Sequence, residues 1–328
     1  MLRRDVVVAG ASAGGIEAFC SFLAGLPVDL PAAVLVVVHM PPEGPSVLPQ
    51  VLGRCGPLPT GWAIDGEPLK PGRVYVAARD HHLLVHDGVV RLSRSARQNR
   101  VRPAVDALFR SAARWCGSRT IAVVLSGALD DGAAGLAAVH ARGGAAVVQD
   151  PEDAVFGGMP RAALAAVGGD AATGTASELA RCVIDLASRP VVPLTTPPHR
   201  DLLVETDMAE HDHPLGQETP GEPVGLGCPE CNGGMSVIEQ GSAVYYRCHV
   251  GHSYAPQTLI AAQREKVESA LWAGVSYLEE QAAVHRHLAA RTPANDGPST
   301  GESQHAAADL ALRTADTIRQ SIHSESGK

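Results

Sequence analysis

The sequence predicts a doubly wound, three-layer α/β/α domain with a mainly parallel sheet, followed by a small cysteine-bearing module and C-terminal helices. Three observations carry this prediction. Apolar, Val-rich runs alternate with stretches of helical periodicity over residues 1 to about 190. Those runs are apolar at consecutive positions, the pattern of strands covered on both faces. A pair of cysteine-containing turns occurs only after residue 226, beyond a proline-rich, acidic break.

The elements follow in order. Val6-Val7-Val8-Ala9 reads as a first strand that breaks into Gly10-Ala11-Ser12-Ala13-Gly14-Gly15 and enters a helical pattern over 16–26. The run 34–38 is a β-branched strand ending at His39, and 74–77, 83–86 and 89–92 are short strands. Asp87-Gly88 between the last two is a two-residue hairpin signal. Residues 103–116 form a helix with proline at its start, and Val105, Leu108, Phe109 and Ala112 share one face. Strand 121–125 leads through Ser126-Gly127-Ala128-Leu129-Asp130-Asp131-Gly132 into helix 133–141; strand 145–149 and helices 160–166 and 176–187 close the domain. Residues 191–225 are expected to be a disordered or weakly ordered acidic, proline-rich linker: between Pro198 and Pro223 stand seven acidic residues and one arginine. A compact unit over 226–255 follows. Residues 256–328 form a helical tail with a partly disordered end; Leu259, Val267, Leu271, Val275 and Leu278 recur at helical spacing.

Bulk properties narrow the function. A chain of 328 residues with 45% apolar content can bury a substantial core. The net charge of −8 argues against a nucleic-acid surface. No apolar run approaches the ~18 residues of a membrane-spanning helix, and the N-terminus lacks the features of a signal peptide. The expectation is a cytoplasmic protein without membrane insertion. Of seven cysteines, Cys20, Cys55, Cys116 and Cys182 are scattered and read as reduced small hydrophobes.

Three polar residues stand where apolar strands end: Ser12, His39 and Asp131. Ligands of open α/β sheets bind outside the carboxyl ends of the strands. The spacing Gly10-x-Ser12-x-Gly14 fits a sharp turn that lifts a nucleophilic serine above the sheet. It equally fits a phosphate cradle or a plain tight connection. A serine hydroxyl needs an adjacent base, which His39 supplies, and a carboxylate that fixes the imidazole tautomer. Each residue also has an ordinary reading. His39 can end a strand, Asp131 can cap helix 133–141, and Ser12 can cap the helix after Gly14. Asp130 competes for the acid role. Their coincidence at one sheet edge favours acyl transfer. The order Ser, His, Asp differs from the Ser, Asp, His of α/β-hydrolases.

On five ordered motifs the first 188 residues or so resemble the catalytic domain of the chemotaxis protein-glutamate methylesterase family. The motifs are Gly10-Ala11-Ser12-Ala13-Gly14-Gly15, Val-Val-His39-Met40-Pro41, Arg102-Pro103-Ala104-Val105-Asp106-Ala107-Leu108-Phe109, the stretch from Leu125 to Leu136, and Phe156-Gly157-Gly158-Met159-Pro160. The resemblance implies a triad of Ser12, His39 and Asp131 and a catalytic reaction without cofactor. It also implies hydrolysis of glutamyl γ-methyl esters on methyl-accepting chemoreceptors, with release of methanol and deamidation of receptor glutamines. The Ala13 N–H, one residue past the nucleophile, is the candidate oxyanion donor. Two departures stand out. Gly127-Ala128-Leu129 replaces the family's Gly-Met-Gly, and the chain opens directly on the esterase strand, without the receiver domain of the familiar regulator. Control is then expected from a partner such as a histidine kinase or a separate receiver protein, or from the C-terminal region. The competing reading is a catalytically weak adaptor that binds receptors or sensor kinases through the same fold.

Cys228-Pro229-Glu230-Cys231 is a Cys-x2-Cys knuckle, and sixteen residues separate it from Cys248-His249-Val250-Gly251-His252. Such pairs suit tetrahedral zinc in a zinc-ribbon-like module. The expected ligands are Cys228, Cys231, Cys248 and His252, with His249 as the alternative fourth. Four protein ligands leave no open position, so the zinc would be structural.

Overall fold

The computed structural model describes residues 2–44, 46–211, 219–291 and 298–325. Seven strands form one parallel sheet: β1 (Val6–Ala11), β2 (Ala33–Val38), β3 (Thr60–Trp62), β4 (Val74–Val76), β7 (Thr120–Val124), β8 (Ala145–Gln149) and β9 (Ala172–Gly174), in the order β3-β4-β2-β1-β7-β8-β9. Between β4 and β7 the chain makes an antiparallel hairpin, β5 (His82–His86) and β6 (Val89–Ser93), turning at Asp87-Gly88 as expected.

Helices cover both faces. On one lie α1 (Gly15–Ala24), α2 (Leu48–Cys55) and α6 (Ala176–Ser188); on the other α3 (Val105–Trp115), α4 (Ala133–Ala141), α5 (Gly158–Ala166) and the hairpin. The strand period of two divides β1 between the cores. Val6 and Val8 join Leu35, Phe109 and Leu136, whereas Val7, Ala9 and Ala11 join Phe19, Phe22 and Leu179. The chain leaves β1 for β2 on one side and returns to β7 on the other, so β1 borders the switch in winding direction, where the carboxyl ends open a crevice.

Helix α3 begins at Val105, two residues later than the proline signal suggests, with Ala104 extended as its N-cap. Cys20 and Cys55 are not reduced: they form a disulfide with a Cα separation of 4.9 Å. The two cysteines, 35 residues apart in sequence, lie on α1 and α2, which pack side by side.

The segment 191–225 is not wholly a linker. It contains α7 (Arg200–Glu210), packed on α3, with Leu202, Glu205, Met208 and Ala209 buried. The expectation of disorder over 212–218 falls outside the described residues. Helix α7 is ordered by partners that composition does not show. Glu205, 1% exposed, accepts from Arg247 Nη1 at 2.8 Å and from the Tyr245 hydroxyl at 2.6 Å, with Arg110 Nε at 3.7 Å. Arg114 reaches Asp207 at 2.6 Å, and Trp115 Nε1 donates to Glu210 at 2.8 Å.

A second, antiparallel sheet follows: β10 (Glu222–Gly227), β11 (Gly234–Gln240), β12 (Ala243–Cys248) and β13 (Ser253–Tyr254), in sequential order. It packs through Ile238, Ala243 and Tyr245 onto Ala133, Ala134 and Ala137 of α4 and Ala166 of α5. Residues up to Leu259 form one compact unit. The second unit, from Ile260, holds most of α8 (Pro256–Arg291) and α9 (Pro298–Glu325), joined through Leu278, Ala282, Ala308 and Ala311. Among the described residues no helix is long and apolar enough to cross a membrane.

Candidate active site

Strand register sets the first two residues of the site. Ala11 pairs with Val38, so the next residues, Ser12 and His39, leave adjacent strand ends together. Main-chain bonds continue the ladder past both strands: His39 N donates to Ala11 O at 3.2 Å, and Ser12 N to Ser126 O at 2.9 Å. After Ser12 the chain turns sharply into α1. Gly14, the N-cap, has φ 69°, and a Cβ there would lie 2.8 Å from both Ser126 Oγ and Val155 Cβ. Only glycine fits that combination of left-handed backbone and crowding. Ser126 Oγ stabilises the turn by donating to Ala13 O at 2.8 Å while accepting Phe156 N–H at 3.0 Å. Ser12 does not cap α1, which has no side-chain cap.

Asp131 reaches the site through α3 rather than α4. The N-cap of α4 is Gly132, φ 94°, so Asp131 is not the cap its position suggests. Its carboxylate instead receives the first N–H groups of α3, Val105 N on Oδ2 at 2.7 Å and Asp106 N on Oδ1 at 3.1 Å. A helix N-terminus favours an anion there. The contact depends on Gly10, where any Cβ would fall 2.2 Å from Val105 Cγ1, so a larger residue would push α3 off the strand.

The three side chains form one relay. His39 Nδ1 lies 3.0 Å from Ser12 Oγ, and His39 Nε2 lies 2.7 Å from Asp131 Oδ2. A carboxylate only accepts, which assigns the proton to Nε2 and leaves the Nδ1 lone pair facing the serine hydroxyl. The ring thus has the opposite orientation to that of chymotrypsin-type triads, with the same roles available. Burial pushes the Asp131 carboxyl upward, but the bond and charge of His39, with the Val105 and Asn99 donors, outweigh it and hold it down to about 2. Burial and the Asp131 charge push neighbouring Asp106 up to about 7. Asp130, the competitor for the acid role, is taken up elsewhere: its Oδ1 accepts the Thr258 hydroxyl at 2.7 Å.

A groove of about 430 Å³ opens over Ser12 and His39, walled by Ile16, Met40, Leu48 and Arg79. On the other side of His39 a second groove, about 420 Å³, is lined by Asp80, Arg97, Arg100 and Arg102. Asn99, absent from the sequence reading, is buried and donates through Nδ2 to Asp131 Oδ1 at 2.9 Å.

A profile of the CheB methylesterase family matches residues 7–183. The chain belongs to the CheB methylesterase family. The crystal structure of the Thermotoga maritima CheB methylesterase catalytic domain superposes with a TM-score of 0.53 at 36% identity, covering 56% of this chain and 100% of that one. A protein-glutamate methylesterase/protein-glutamine glutaminase of Myxococcus xanthus is 42% identical over 159 residues, 48% of this chain and 45% of its own. One from Pseudomonas aeruginosa is 41% identical over 163 residues, 48% of this chain and 46% of its own. The chain spans about half the length of these curated relatives. The second sheet and the helical tail lie beyond the family match.

In that sheet Cys228, Cys231, Cys248 and His252 bring their ligand atoms within 4.8 Å of one another. Cys231 Sγ is 3.6 Å from Cys248 Sγ, and His252 Nδ1 is 3.5 Å from Cys248 Sγ and 3.8 Å from Cys228 Sγ. His252 Nε2 faces Glu230 at 3.2 Å, the outer partner that orients a ligating imidazole. His249, the alternative, is exposed and stacks over Gly233, where a Cβ would meet its ring at 2.2 Å. Three thiols and one oriented imidazole are a donor set that fits a tetrahedral metal ion.

Proposed function

We propose that this chain is a serine esterase that hydrolyses glutamyl γ-methyl esters on methyl-accepting chemoreceptors, releases methanol, and deamidates receptor glutamines. The observation that carries this reading is the continuous Ser12–His39–Asp131 relay on a methylesterase scaffold. Ser12 Oγ attacks the ester carbonyl as its proton passes to His39 Nδ1. Asp131 stabilises the imidazolium that forms. The negative oxygen of the tetrahedral intermediate receives the Ala13 N–H beside the α1 N-terminus. His39 returns the proton to the departing methoxide, giving methanol and a Ser12-bound acyl group. Water, deprotonated by His39, then attacks that acyl group, and the proton passes back to Ser12 as the glutamate leaves.

The arginines of the second groove suit an acidic receptor helix. An assembled relay favours hydrolysis over the adaptor reading. The protein acts in the cytoplasm, under a histidine kinase or a separate receiver protein. Zinc is the metal that Cys228, Cys231, Cys248 and His252 would hold, and its contribution is structural, since a sheet this small has little core of its own.

Methanol release from methylated receptor membranes tests the reading. The native chain is expected to release methanol and Ser12→Ala to fall to the uncatalysed rate. Equal release by the two proteins refutes it.

A further inference from the structure

Asn99 joins two distant parts of the chain. Its Nδ2 donates to Asp131 Oδ1 at 2.9 Å and to Asp106 Oδ2 at 3.0 Å. Its Oδ1 accepts Ala255 N–H at 2.9 Å, and its own N–H donates to Ser253 O at 2.7 Å. Ser253 and Ala255 lie one and three residues beyond the metal-site residue His252. Asn99 is 7% exposed and has a left-handed backbone, φ 50°. The neighbouring contacts run the same way: Gln98 bridges in parallel to Ser253, and Thr258 holds Asp130.

These bonds fix the side-chain amide. An oxygen turned to Ala255 leaves only the NH₂ for the two carboxylates. Without the Ala255 N–H the buried oxygen has no donor, an arrangement costly enough that the amide turns or moves. Asp131 then loses a donor on the oxygen that does not face His39. Strand β13 is only two residues long and too short to persist alone. It is anchored where Cys248 N donates to His252 O at 2.9 Å, between two of the residues that meet at the metal site.

We propose that Asn99 is a positioning residue through which the metal-bearing sheet orients the triad carboxylate, so that metal occupancy sets the turnover of the esterase. This rests on the serine-esterase reading. The sheet lies beyond the family match, and the Thermotoga maritima catalytic domain is matched in full by 56% of this chain. The sheet is therefore an addition to the fold, and it tunes a relay that the fold itself supplies.

The test uses the full chain with zinc bound, stripped by chelator, and reloaded with zinc alone, in native and Asn99→Ala forms. Stripping the native protein should lower kcat about tenfold to a hundredfold with KM little changed, the effect of one hydrogen bond to a charged group, and zinc should reverse it. Asn99→Ala should retain zinc, show the same lowered kcat, and lose nothing further on stripping. The downfield proton resonance of His39 Nε2–H against Asp131 should shift or broaden in both cases. An unchanged kcat on stripping the native protein, or a further loss of equal size when Asn99→Ala is stripped, overturns the proposal. If the stripped chain does not stay folded, the zinc-loaded Asn99→Ala protein decides: a native resonance and native kcat overturn the proposal. Ser12→Ala, run alongside, separates the two readings. Activity that survives it refutes the serine esterase, whereas activity abolished by it but indifferent to zinc refutes only the coupling.

Discussion

Replacing Asp131 with asparagine exchanges one carboxylate oxygen for NH₂ and should nearly abolish the proposed hydrolysis. Oδ2 accepts from His39 Nε2 at 2.7 Å and Val105 N at 2.7 Å; Oδ1 accepts from Asn99 Nδ2 at 2.9 Å and Asp106 N at 3.1 Å. All four partners are donors on the native assignment, so either orientation of the new amide sets its NH₂ against two of them. With the NH₂ toward His39, the ring is driven to the other tautomer, which places the imidazole proton on Nδ1, opposite Ser12 Oγ at 3.0 Å. A protonated Nδ1 cannot accept the serine proton. The same substitution in a serine protease triad lowers kcat by about 10⁴, roughly 5 kcal/mol of barrier. Asp131→Asn is therefore expected to lose about 10⁴ in kcat while retaining its fold. The assay is the initial rate of methanol release from methylated receptor at neutral pH, with circular dichroism and zinc content as controls. A folded variant that keeps more than about a tenth of the native kcat would refute the assigned tautomer and role.

Glu205→Ala should destabilise the chain by about 3–5 kcal/mol, because it strands Arg110 and Arg247 as buried, unpaired charges; urea unfolding measures this, and a loss under ~1 kcal/mol contradicts the account of α7. Cys231→Ser should abolish stoichiometric zinc binding and make residues 222–254 the first region to exchange amide hydrogens; full zinc content in the variant refutes the ligand set. Leu129 sits beside the site, half exposed, with φ 62°. Leu129→Gly relieves about 1–2 kcal/mol of left-handed strain and returns about half as unfolded-chain entropy, so Tm should rise; a fall in Tm counts against it. Because Asp131 is held below its ordinary range, at about 2, its contribution is complete above pH ~4 and disappears as pH falls toward 2. That share is roughly 2 kcal/mol, and urea midpoints at pH 6 and pH 3 should converge between native and Asp131→Asn as pH drops. An equal gap at both pH values rules it out.

Much of the site was legible because parallel strands impose local rules. Consecutive valines mark strands covered on both faces, and in-register ends put the next residues, Ser12 and His39, side by side. The cysteine spacing pointed to a candidate metal-ligand cluster for the same reason: a knuckle is a local turn. His252, the fourth ligand expected from the spacing, lies in the cluster and faces Glu230, whereas the alternative His249 is exposed. Asp131 stands near a strand end in the sequence, but its placement depends on α3, whose N–H groups reach it only because Gly10 admits Val105.

What composition could not convey is compensation by distant partners. An acidic, proline-flanked stretch reads as unable to bury itself, yet Glu205 is buried because arginines on α3 and β12 meet it there. Cys20 and Cys55 read as isolated, yet the packing of α1 on α2 joins them. Asn99 carried no signal at all. Periodicity, turn chemistry and ligand spacing act within a few residues and so are determined by the sequence alone. The cost of burying a charge or an amide is offset only by groups that tertiary folding brings from far along the chain, and only the structure shows which ones arrive.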